Sequence, residues 1–119
     1  MNVTYYALKP SFYSFFYKKE ETLFSILHSV NKNQQGQLCK SFYIDEIYLD
    51  CISFFDYPIL YSEHCLYIHH PVKQIDYYLK VDEFSLTCNH IESNPFCYYL
   101  ERIHKNWITC SYTCDDKSV

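Results

Sequence analysis

The chain has 119 residues, a formal net charge of −4, and 49% hydrophobic against 20% charged residues. That length supports a single domain over 1–119 that buries about two-thirds of its unfolded surface without metal or disulfide staples. The acid excess and the lone arginine, Arg102, speak against a nucleic-acid binder, whose affinity comes largely from clustered Lys and Arg, and the adjacent pair Lys18 and Lys19 runs straight into Glu20 and Glu21.

VTYYAL, residues 3–8, reads as a short Tyr-rich strand that Pro10 ends. Apolar spacing through Leu23, Ile26, Leu27 and Val30 predicts a helix over 19–31, with Glu20 and Glu21 near its start and Lys32 near its end suiting the dipole. NKNQQGQ, residues 31–37, is expected to be a flexible connection. From Ser41 to His90 the pattern reads as period two. Ile47, Leu49 and Cys51 would share one strand face, with Glu46 and Asp50 on the other, and Asp56-Tyr57-Pro58 would turn the chain.

In SEHCLYIHHPV, residues 62–72, strand parity sends His64, Leu66, Ile68 and His70 one way and Cys65, Tyr67 and His69 the other. His69 and His70 then cannot serve one ion. Ile75, Tyr77, Leu79 and Val81 alternate cleanly, and the phase changes at Asp82-Glu83 to Phe84, Leu86 and Cys88, which predicts a bulge or tight turn there. A second helix is expected over 95–106, with Asn94 as N-cap, Pro95 at the first helical position, an apolar stripe of Phe96, Tyr99, Leu100, Ile103 and Trp107, and Glu101 paired with Lys105. ITCSY would add a last strand, and 115–119 should fray. The expected fold is α+β: one antiparallel sheet of about 4–6 strands with the two helices mainly on one face.

The seven cysteines are odd in number and no secretory leader opens the chain, which predicts free thiols in a reducing, cytoplasmic compartment. No apolar run reaches the ~18 residues of a membrane span. A single glycine, Gly36, leaves too few for a phosphate loop, a dinucleotide fingerprint or a serine nucleophile elbow. The chain holds one Ala and one Arg against abundant Phe, Tyr, Ile, Asn and Lys, which points to an AT-rich coding sequence such as a viral, phage or mobile-element gene.

These features together predict a non-enzymatic protein-binding inhibitor or antagonist, of viral-accessory or toxin-immunity type, with no cofactor. Its partner-binding residues would be Asp45, Glu46, Tyr48, Asp50, Asp56, Asp82 and Glu83, an acidic set beside tyrosines on a sheet face and suited to one basic protein target. Two other classes compete. A metal-dependent or Cys/His hydrolase would assemble His64, His70, Cys88 and His90, with zinc as the metal; Cys110 and Cys114 are the one pair at zinc-like spacing. A homodimer or larger homo-oligomer would bury a Tyr-rich sheet face against its own copy.

Overall fold

The computed structural model describes residues 2–90, 92–103 and 109–114. It is an α+β fold built on one six-stranded antiparallel sheet, in the order β2-β3-β4-β5-β1-β6. The strands are β1 (Asn2–Ala7), β2 (Leu60–Ser62), β3 (Cys65–His70), β4 (Ile75–Val81), β5 (Leu86–Cys88) and β6 (Thr109–Cys114). The helices are α1 (Glu20–Ser29), α2 (Lys32–Leu38), α3 (Ile44–Phe54) and α4 (Pro95–Ile103).

Register explains how the core forms. Leu66 pairs with Leu79 and Ile68 with Tyr77. Leu79 and Val81 face Cys88 and Leu86, and Val3 and Tyr5 face the same two residues from β1. Period-two alternation therefore gathers these side chains on one side of the sheet. There α3 brings Ile47 and Cys51, and α4 brings Phe96, Cys97, Tyr99 and Leu100, into one continuous cluster. Tyr6 alternates the other way from Tyr5. It joins a second cluster at the end of the sheet with Leu8, Leu23, Phe24, Leu27 and Cys39, which α1 closes.

Two segments depart from their expected structure. Residues 44–54, expected as a strand, form α3, and the side chains that reach the core, Ile44, Ile47, Tyr48, Cys51 and Phe55, recur at helical spacing. Leu49, expected beside Ile47 and Cys51, points outward instead. Residues 31–37, expected to be flexible, belong to α2, whose first turn is held by a capping box: Gln34 N–H donates to Asn31 Oδ1 at 2.9 Å and Asn31 N–H to Gln34 Oε1 at 3.1 Å. Gly36 lies inside that helix because the Phe84 ring rests on it; a Cβ there would stand 2.9 Å from the ring tip.

The phase change at Asp82-Glu83 is a tight turn closed by Asp82 N–H donating to the Ser85 carbonyl at 2.9 Å. Phe84 turns out of β5 register to pack in the second cluster. Lys105, Trp107 and 115–119 lie outside the described residues, as do the side chains of Ile103, Cys110 and Cys114.

The start of α4 is fastened to the sheet by two asparagines. Asn94, buried, accepts from Phe96 N–H through Oδ1 at 2.8 Å, so it is the N-cap. Its amide donates to the carbonyl oxygens of Asn89 at 2.7 Å and Tyr78 at 3.2 Å. Asn89 in turn accepts from Tyr78 N–H at 2.9 Å and donates to the Asp76 carbonyl at 3.0 Å. Asn94→Ala removes the cap and strands buried carbonyls together, which should cost about 3 kcal/mol by chemical denaturation. Asn94→Asp keeps the acceptor for Phe96 yet loses the donors, so it should recover less than half of that loss; full recovery would show that capping alone matters.

Candidate functional site

Helix α3 carries three of the six acids, Asp45, Glu46 and Asp50. Asp45 and Glu46 occupy its first turn, where the helix dipole favours carboxylates. The expectation of a sheet face is thereby corrected: these acids lie on a helix because 44–54 buries one helical stripe, and the opposite stripe faces solvent. Asp45 Oδ1 accepts from the Tyr61 hydroxyl at 3.0 Å, and the Tyr61 ring stands edge-on to Tyr48 at 5.1 Å between centroids. The hydrogen bond to Asp45 holds the Tyr61 hydroxyl above its ordinary pKa.

The remaining acids, Asp56, Asp82 and Glu83, lie beyond this helix. Phe42 N–H donates to the Glu83 carbonyl at 2.7 Å, which sets the Asp82-Glu83 turn against the entry to α3. Asp50, although exposed, accepts from the Tyr99 hydroxyl at 2.5 Å. Burial, and then this bond, push the Tyr99 hydroxyl strongly up. Asp56 follows the C-terminal end of α3 and lines a groove.

Beside Asp45, Glu46 and Asp50, the exposed face of α3 carries apolar side chains. Leu49 is 66% exposed and Ile52 47% exposed, three residues apart and thus neighbours on the helix surface. Leu60 and Tyr61 of the edge strand β2 are also exposed, as are Tyr57 and Tyr98. Sequence periodicity read as a strand hid this stripe; the helical spacing of Ile44, Ile47, Tyr48 and Cys51 was the signal that locates it.

The groove opens where β3, β4 and the start of α4 meet the loop after α3, and it encloses about 890 Å³. Tyr57, Pro58, Leu60, Ile68 and Pro95 supply apolar wall. Tyr77 is almost fully buried, and its hydroxyl shares a 3.1 Å hydrogen bond with Ser93. The Tyr77 ring meets His70 and His90 edge-on, at 6.5 and 6.1 Å between centroids. Lys73 N–H donates to His70 Nδ1 at 3.1 Å. His69 also lines the groove, and its Nδ1 is 2.7 Å from Asp76 Oδ1.

The residues expected for a Cys/His or zinc site are spread apart. His64 precedes β3 and His70 ends it, while Cys88 points into the core between Leu79 and Val3. Among the described residues no group of three or more His, Cys, Asp or Glu side chains is placed to hold a metal ion. Cys39, Cys51, Cys65, Cys88 and Cys97 are free thiols, and all but Cys65 are buried. Burial pushes the Cys39 thiol up to about 11 and the Cys51 thiol up to about 12. A hydrogen bond with Cys97, reinforced by burial, also raises Cys88. Thiols held protonated this way are poor nucleophiles.

Comparison with protein-family models gives no match, and no curated protein matches the chain.

The thiol shifts set a pH dependence. A thiol whose folded pKa is raised binds its proton in the native state after the unfolded chain has released it, so stability is fully present below about pH 9 and falls above it. Unfolding free energies from denaturant titrations between pH 8 and 11 should decline with a slope approaching about 1.4 kcal/mol per pH unit for each such thiol. Cys51→Ala should flatten that slope by one thiol's share, and an unchanged slope would place Cys51 in contact with solvent.

Proposed function

We propose that this chain is a non-enzymatic binder of one protein target, an inhibitor or antagonist of the viral-accessory or toxin-immunity type, which meets a basic partner with the outer face of α3 and the adjoining edge at β2. The observation that carries the reading is the exposed Leu49–Ile52 stripe between carboxylates. A helix of a free-standing domain ordinarily turns polar residues outward, and an apolar patch with a polar rim is the mark of a protein interface. Burying a side chain such as Leu49 against a partner contributes roughly 1.5–3 kcal/mol, whereas the surrounding acids act mainly on encounter rate and partner choice.

Asp45, Glu46, Asp82 and Glu83 concentrate negative charge at the end where α3 begins, and Tyr48 and Tyr61 offer aromatic surface beside it. Asp50 contributes charge but is committed to Tyr99, so it serves the fold first. Free thiols in the described chain suit a reducing compartment. No helix among the described residues is long and apolar enough to cross a membrane.

The test uses the target recovered with the intact protein from its native cell and then purified. Leu49→Asp should weaken binding at least tenfold, mainly by faster dissociation. Glu46→Lys should slow association and reduce its dependence on salt. Both variants change exposed positions and should fold as the parent does. Unchanged kinetics in both would remove α3 from the interface and end this reading of the surface.

A further inference from the structure

We infer that the groove beside Tyr77 is a binding site for a small, flat, apolar compound carrying a single carboxylate, a function separate from the α3 surface and independent of the protein-binding reading. The volume, about 890 Å³, falls within the ~300–1,000 Å³ range of small-molecule sites. Its walls are of the right kind: Tyr57, Pro58, Leu60, Ile68 and Pro95 present rings and aliphatic surface, and Tyr57 is itself stacked on Phe55 at 5.6 Å between centroids, which braces one wall.

The polar groups decide the ligand's head. Ser93 and the buried Tyr77 share one hydrogen bond, and of two hydroxyl protons only one is used in it, so the other remains to be donated. His70 Nδ1 is already an acceptor for Lys73 N–H, so its ring proton sits on Nε2 and the groove gains a further N–H donor. Lys73, between β3 and β4, lines the same groove and brings a cationic side chain to it. Donors therefore collect on the β3–β4 side of an apolar cavity, the arrangement an acceptor anion needs. Asp56 stands on the loop side and repels negative charge there. One carboxylate turned toward His70 and Lys73 satisfies both sides; a second would meet Asp56.

The probe is 2-naphthoate, titrated into isotope-labelled full-length protein and followed by nuclear magnetic resonance. The Ile68 methyl and Tyr77 ring signals should shift saturably with one site. 2-Naphthamide should bind about fivefold more weakly or worse, as the loss of one charge-assisted contact predicts. Lys73→Glu should weaken the naphthoate similarly, and Leu60→Trp, which adds bulk at the exposed mouth, should weaken it at least tenfold. Leu49→Asp, on the α3 stripe, should leave the titration unchanged. Absence of saturable shifts at Ile68 and Tyr77 up to millimolar naphthoate overturns the site. Equal binding of the amide overturns the carboxylate specificity, and a loss on Leu49→Asp matched by none on Leu60→Trp moves the probe to the helix and overturns the groove.

Discussion

The two-asparagine junction at the start of α4 is the constraint on which the rest of the molecule depends. Asn94 ends the strand-to-helix connection with a cap on Phe96 while its amide holds the backbone of Tyr78 and Asn89. A helix whose first turn is pinned to two adjacent strands has its direction decided there, and Phe96, Tyr99 and Leu100 then fall onto Leu79, Leu86 and Cys88. The same pin places Ser93 and Pro95 against Tyr77, which forms one wall of the groove. Fold and cavity share one set of hydrogen bonds, and a buried amide is costly to leave unpaired, so the junction is specific as well as stabilising.

With α4 placed, α3 adds Ile47 and Cys51 to the same core. Phe55 meets Phe96 edge-on at 5.7 Å and Tyr99 at 5.9 Å between centroids, while Tyr99 sends its hydroxyl to Asp50. The aromatic residues abundant in the sequence thus do two kinds of work. Tyr99 buries its ring while its hydroxyl reaches the Asp50 carboxylate, whereas Tyr61 bonds Asp45 and leaves its ring at the surface.

Much of the architecture could be read from residue order. Alternation in 65–70 and 75–81, the Asn94-Pro95 start of α4, the turn after Val81 and the division of His69 from His70 all follow from local pattern, and local pattern governs each of them. The stretch 41–54 could not be decided by alternation, because Ile47, Leu49 and Cys51 satisfy a period of two while Ile44, Ile47, Tyr48 and Cys51 satisfy a period of 3.6. Tertiary packing chose the second, and the Asp45-Glu46 pair in the first turn agrees with it. The α2 capping box was written in Asn31 and Gln34, yet a polar run with a glycine resembles a loop until Phe84 is seen resting on Gly36. The groove had no local signature at all: Tyr57, Leu60, Ile68, Tyr77 and Ser93 come from four separate segments that only the completed fold brings together.

That misread period also alters the meaning of the acidic residues. On a strand, Glu46 and Asp50 would project together from one face of the sheet. On α3 they are one turn apart and both exposed, with Asp50 bonded to the Tyr99 hydroxyl. The carboxylates at the helix start relieve the dipole whether or not a partner is present, so their charge alone is weak evidence of recognition. Leu49 is different, since it is a leucine 66% exposed at the centre of an eleven-residue helix. An exposed apolar pair of this kind favours a partner's surface, and the acids beside it favour a basic one.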